Sequence, residues 1–176
     1  TPRVIIAGMG RVGQIVARML NANRIAFTAL ESDPDQVDFM RHFGNTVFFG
    51  DASRLDLLRA AQADKAEIFV IATEDPDANL RTARLLKRHF PHLKVFARAR
   101  NRQHVFKLMD LGVGSIVLIS FDIGASTAWH QPDIVAEPAK LAHYQRTVRT
   151  VRSHHPEVPF LDALEDEVAR LTERST

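Results

Sequence analysis

The sequence predicts an α/β fold: a Rossmann-like, doubly wound parallel sheet of six strands with a C-terminal helical appendage. Three observations predict it. Short apolar runs alternate with longer amphipathic segments through the first two-thirds of the chain. The apolar runs lack polar/apolar alternation, as strands do when a parallel sheet is covered on both faces. A glycine triplet, Gly8, Gly10 and Gly13, stands between the first apolar run and the first amphipathic segment.

Six runs read as strands: Val4–Ala7, Ala26–Leu30, Thr46–Phe49, Ile68–Ala72, Val95–Ala97 and Ser115–Ile119. The segments between them carry apolar residues at three- and four-residue spacing, the period of a helix with one buried stripe. Val12, Ile15, Val16, Met19 and Leu20 mark the first helix, and Val37, Met40 and Phe43 the second. Leu55 and Leu58 mark the third, Leu80, Ala83 and Leu86 the fourth, and Val105, Leu108 and Met109 the fifth. Asp33-Pro34 and Asp75-Pro76-Asp77 place a side-chain acceptor before a proline, the signature of a helix start, while Gly44 and Gly112 stand where helices should stop. Repeated strand–helix units imply right-handed crossovers.

The pattern changes after about Ser120, which divides the chain into a Rossmann-type domain, 1–120, and a helical extension, 121–176, suited to dimerisation or partner contact. Phe121 to Trp129 reads as a short helix, and Gln131-Pro132-Asp133 as a break. Pro138 to Arg152 reads as a basic helix (Leu141, Tyr144, Val148, Val151), His154-His155-Pro156 as a linker, and Phe160 to Arg174 as a charged amphipathic helix with Leu161, Leu164, Val168 and Leu171. The extension is too small for its own core and is expected to pack on the domain or on a partner.

Composition narrows the function. The 176 residues are 45% hydrophobic and 25% charged, ordinary for a globular chain. A net charge of +2 with mixed signs gives no electrostatic case for a nucleic-acid partner. The absence of cysteine excludes disulfides, thiolate metal sites and a thiol nucleophile, and fits a reducing compartment. The apolar runs fall far short of the ~20 residues of a membrane span. No signal peptide is visible, and a chain opening on Thr1-Pro2 reads as a piece of a longer protein.

Gly8-Met9-Gly10-Arg11-Val12-Gly13 follows a strand and opens a helix, the context in which this spacing cradles a dinucleotide pyrophosphate. Gly8 allows the tight turn, Gly10 the approach of a phosphate, and Gly13 the close packing of helix on strand. The helix N-terminus offers N–H groups and a positive dipole end. Glu31 ends the second strand, near the ~20-residue spacing expected of the acid that accepts ribose hydroxyls. Ser32 and Asp33 follow it with no Arg or Lys, which disfavours a 2′-phosphate, and Asp33 is expected to cap the next helix. Gly50-Asp51-Ala52-Ser53 ends the third strand, where an adenine edge would lie; Ser53 is equally well read as a helix cap. Ala72-Thr73-Glu74-Asp75 ends the fourth, near the pyrophosphate or the distal half. The ligand expected from these residues is NAD(H) or AMP.

Taken with Leu30 to Asp35, Phe49 to Ser53, Ala72 to Pro76, His89-Phe90-Pro91-His92-Leu93 and Ala97-Arg98-Ala99-Arg100, the loop resembles the RCK-N or KTN (TrkA-N) domain that regulates potassium conductance. Within that family it looks most like the cytosolic domain of Kef-type, glutathione-gated potassium efflux systems, over about residues 3 to 112. The resemblance implies a regulatory module rather than an enzyme. It would dimerise and act on a transmembrane antiporter domain of the same or an associated chain, at the cytoplasmic face of the inner membrane. It further implies Gly8, Gly10, Arg11 and Gly13 on phosphate, Glu31 on ribose, Asp51 and Ala52 on adenine, and Thr73 and Arg98 facing the ligand, with Val12 and Ser32 also among the cofactor-binding residues. Arg11, Arg98 and Arg100 are the positions implied for glutathione or another anion as effector, since Arg pairs with carboxylates bidentately. Two departures stand out: Glu31 replaces the commoner aspartate, and Phe121 to Thr127 resembles the Kef crossover helix only loosely.

The alternatives are an NAD-dependent oxidoreductase and a stand-alone nucleotide-sensing subunit. The former needs a substrate domain, and no Ser–His–Asp order or paired acids stands near the crevice. His89 and His92 have H-x-x-H spacing with Pro91 between them and read as surface loop rather than metal ligands. Arg146, Arg149 and Arg152 read as a solvated helix face, and Trp129 as a core or interface anchor.

Overall fold

The computed structural model describes residues 3–41, 46–118 and 148–150, with Leu164, Asp166, Glu167, Ala169, Arg170 and Glu173 near the C-terminus. The elements run β1 (Val4–Ala7), α1 (Arg11–Ala22), β2 (Phe27–Glu31), α2 (Pro34–Arg41), β3 (Thr46–Phe49) and α3 (Leu55–Ala60). They continue as β4 (Ile68–Ile71), α4 (Pro76–His89), β5 (Lys94–Ala99), α5 (Arg102–Asp110), β6 (Ser115–Leu118) and β7 (Val148–Thr150).

The strands form one parallel sheet in the order β3-β2-β1-β4-β5-β6-β7. Strand order reverses between β1 and β4, where doubly wound sheets open a crevice at their carboxyl ends. Ala7 stands opposite Leu30 on β2 and Ile71 on β4, so three strand ends finish level at that crevice.

Burial explains the missing alternation. Every residue of β1, β2 and β4 is buried, whereas β3, at the sheet edge, is half exposed. Ile5, Ala7, Phe69 and Ile71 pack on one face beneath α3, α4 and α5, with Leu58, Leu86 and Leu108 at the centre. Val4, Ile6, Ile68 and Val70 point the other way, onto Val16 and Leu20 of α1 and Met40 of α2. The same two-residue period thus feeds two apolar layers instead of one. Leu164, fully buried, joins the apolar layer on the α1 face, while Glu167 pairs with Lys94 and with Arg170. At its described residues the C-terminal helix therefore packs on the domain.

The helix starts follow the sequence signals. Asp33 accepts from the Asp35 N–H ahead of α2, and Asp75 from the Asp77 N–H ahead of α4, each before a proline. Asn101 caps α5 by accepting from the His104 N–H.

One expectation is corrected. The reading of 138–152 as a helix fails at Val148–Thr150, which form β7 with Val148 opposite Ile116 of β6. Among the described residues the sheet thus has seven strands instead of six, and Arg149 lies on a strand rather than on a helical stripe. Arg149 is flanked on both sides by β-branched residues, Thr147-Val148 and Thr150-Val151, which suits a strand. The free edge of β6 supplies the hydrogen bonds that decide for it. Phe43, Gly44, Ile119, 121–147 (with Trp129 and Arg146), Val151, Arg152, His154-His155-Pro156, Leu161, Val168 and Leu171 lie outside the described residues.

Candidate functional site

The glycine loop is held by contacts that admit no side chain. Gly8 has φ +91°, and a Cβ on it would stand 2.8 Å from the Thr73 nitrogen. A Cβ on Gly13 would stand 1.9 Å from the Gly8 carbonyl oxygen, so α1 can approach β1 this closely only with glycine there. Gly10 is the N-cap of α1, with no side chain capping the helix and no acid in its first turn. The positive end of α1 is therefore presented at the crevice without an internal counter-ion from its own first turn. Arg11, the first helical residue, is exposed, and Val12 is buried behind the loop.

Glu31 is tied into the same loop. One carboxylate oxygen accepts from the Met9 N–H, and the other from the N–H groups of Ser32 and Asp33, at 3.0 Å each. The side chain is buried. Three backbone donors thus hold the carboxylate between the end of β2 and the glycine turn, leaving about one of its roughly four lone-pair sites for a ligand hydroxyl. Ser32 is exposed beside it.

The end of β3 joins this wall through the Gly50 N–H, which donates to the Glu31 carbonyl at 2.8 Å. Asp51 accepts from the Ser53 N–H at 2.8 Å and from the Ser53 hydroxyl at 2.7 Å. The Ser53 backbone donor holds the Asp51 carboxyl below the usual carboxylate range, with Arg81 and Arg54 adding attraction. Ser53 does not cap α3, whose N-cap is Arg54; its hydroxyl serves Asp51 instead. Ala52 is buried.

On the other side of the switch point, Thr73 donates to the Ala7 carbonyl at 3.4 Å. Arg98 is buried at the end of β5, its Nη1 3.4 Å from Glu74 Oε1 and its Nε without a hydrogen-bond partner among the described residues. Arg100 is exposed; its N–H donates to His104 Nδ1 at 3.1 Å. Arg98 and Arg100 therefore differ in kind, since only Arg98 offers a guanidinium enclosed by protein.

Behind these residues lies a polar network. The Asn79 side chain donates to the Arg98 carbonyl at 2.9 Å and to the Thr73 carbonyl at 3.3 Å. Its oxygen faces His104 Nε2 at 3.2 Å. Because Nδ1 accepts from Arg100, the ring carries its proton on Nε2 and donates to Asn79. Burial pushes the His104 pKa down to about 4, with the positive charges of Lys107 and Arg98 adding to the effect and Asp77 opposing it. The network fixes the spacing of the β4 and β5 ends and so positions Thr73 and Arg98.

The structure thus brings Gly8, Gly10, Glu31, Asp51, Thr73 and Arg98 to the carboxyl ends of adjacent strands. His89 and His92 do not join them: His92 Nε2 lies 3.1 Å from the Ala66 carbonyl, away from the crevice. No group of three or more metal-type side chains gathers among the described residues. Sequence reasoning missed Asn79 and His104, although a signal existed. Asn79 falls on the helical stripe of Ala83 and Leu86, and His104 on that of Leu108, so each is a polar residue at a core position.

The TrkA-N domain model matches residues 4–119. The chain belongs to the TrkA-N domain family. This TrkA-N chain is 48% identical over 112 residues to the glutathione-regulated potassium-efflux system protein KefC of Salmonella arizonae. The match covers 64% of this chain and 18% of that protein, so the chain spans less than a fifth of its KefC relatives. A structure of the Shewanella denitrificans Kef CTD in AMP-bound form is similar, with 41% identity and a TM-score of 0.61, covering 81% of this chain and 90% of that one. The GsuK channel bound to NAD shares 16% identity at a TM-score of 0.59, covering 65% of this chain and 21% of that one, a likeness of fold.

Proposed function

We propose that this TrkA-N domain is the nucleotide-binding regulatory part of a potassium efflux (K+/H+ antiport) system, and that it has no catalytic role of its own. The observation that carries the reading is the uncapped N-terminus of α1 behind Gly8, Gly10 and Gly13, with Glu31 bound into the same turn. That arrangement suits a phosphate on the helix and a ribose on the acid. The likeness to KefC and to a Kef domain in AMP-bound form supports it.

The ligand is AMP or NAD(H). Gly8, Gly10, Arg11, Val12 and Gly13 take its phosphate, Glu31 and Ser32 its ribose, and Asp51 and Ala52 its adenine, while Thr73 and Arg98 face it from the far side. Arg11, Arg98 and Arg100 supply the cations for glutathione or a related anionic effector. The working form is a homodimer beside a transmembrane antiporter domain, at the cytoplasmic face of the inner membrane. Gating follows from ligand binding only if two dimer arrangements differ in affinity for the ligand.

Titration of the domain with NADH, NADPH, AMP and ATP, with and without glutathione, tests the reading. Preference for AMP or NADH over NADPH is expected. Absence of binding, or preference for NADPH, overturns the assignment of the glycine loop and Glu31. Steady oxidation of NADH with simple carbonyl substrates would instead favour an oxidoreductase.

A further inference from the structure

The nucleotide reading leaves one charged group in the phosphate half of the crevice unused. Glu74 Oε1 lies 3.3 Å from where a Cβ on Gly10 would stand, and 3.4 Å from Arg98 Nη1. The carboxylate therefore bridges the middle glycine of the loop and the cation at the end of β5. A phosphate chain running from the helix N-terminus toward Arg98 would cross it.

The two partners of this ion pair are unequal. The Glu74 side chain is 69% exposed and that of Arg98 10%. The main chain of Arg98 is held as well, its carbonyl accepting from the Asn79 side chain. Glu74 is thus free to turn into solvent, whereas Arg98 stays at the crevice. Among the described residues Arg98 meets one long ionic contact at Nη1, and its buried Nε finds no partner. A buried cation so incompletely compensated still draws anions. Glu74 already stands where it draws them.

Resting on the nucleotide reading above, we propose that Glu74 is a specificity-determining residue that ranks ligands by the charge of their phosphates. The base and ribose contacts are the same for AMP, ADP and ATP. The repulsion from Glu74, and its competition for Arg98, grow with each negative charge the ligand brings to that space. The site consequently favours a monophosphate over the di- and triphosphate of the same nucleoside. A surface ion pair without this role would leave the ranking untouched.

The test compares the wild-type chain with Glu74→Gln and Glu74→Ala, titrated with adenosine, AMP, ADP and ATP at fixed ionic strength and with a chelator present. Glu74 is exposed, so neither variant removes core packing. In both, affinity for ATP is expected to rise about tenfold and for AMP less than about threefold, with ADP between them and adenosine unchanged. The gain for ATP should shrink as salt is raised. An equal change across the series, or no gain for ATP, overturns the role of Glu74 while leaving the nucleotide site standing. Failure of every ligand to bind wild type and variants alike overturns the nucleotide reading, and this proposal with it.

Discussion

Glu31 and Met9, 22 residues apart in the chain, are joined by a buried hydrogen bond from the Met9 N–H to the Glu31 carboxylate. The acid at the end of β2 is therefore part of the glycine turn as well as a group facing the crevice. Glu31→Ala would leave the Met9 N–H without its acceptor inside the fold, at a cost of about 1–3 kcal/mol in stability. The same change should weaken nucleotide binding by roughly 1.5–3 kcal/mol, the range for hydrogen bonds to a charged group. Thermal unfolding without ligand reads the first effect and a titration the second. An unchanged melting temperature would sink the structural tie, and an unchanged affinity the ribose role.

Gly13 and Gly114 should respond oppositely to the same substitution. A Cβ on Gly13 would sit 1.9 Å from a backbone oxygen, whereas one on Gly114 meets nothing within 4 Å. Gly13→Ala is expected to cost about 3 kcal/mol, since α1 and β1 must move apart, and to abolish binding at the loop. Gly114→Ala should change stability by no more than about 0.5 kcal/mol. Denaturant unfolding of both variants checks the pair; a tolerated Gly13→Ala would contradict the close packing.

The buried His104 predicts acid sensitivity. Burial lowers its pKa from 6.5 to about 4 in the folded chain. Between those values the unfolded chain binds a proton that the folded chain does not, so lowering the pH favours unfolding. The stabilising contribution is complete above pH 6.5 and is lost as pH falls toward 4. His104→Gln keeps a donor for Asn79 and an acceptor for the Arg100 N–H but cannot titrate. Its melting temperature should therefore fall less steeply than that of the wild type between pH 6.5 and 4. Parallel pH profiles would show that His104 does not titrate this way.

Much of the scaffold was legible because its signals are local. Each Asp-Pro cap lies within three residues of the group it satisfies, and each helix announces its buried stripe through its own period. The glycine spacing likewise encodes a turn, whose φ of +91° at Gly8 only glycine adopts without strain. Val148–Thr150 was misread for the converse reason. A three-residue strand is stabilised by the neighbour it pairs with, and its partner β6 is remote in sequence.

The sequence by itself determined the succession of strands and helices as far as β6, the position of the glycine turn and the presence of an acid at the end of β2. These depend on residue type and short-range spacing, which the chain carries wherever it lies. Tertiary structure alone decided that Glu31 would be tied to Met9, that Asn79 and His104 would clamp the ends of β4 and β5, and that Glu74 would reach between Gly10 and Arg98. Those pairings join residues 19 to 64 positions apart. Most of them arise only when parallel crossovers bring separate strand ends to one edge of the sheet, and that meeting is set by packing rather than by any local pattern.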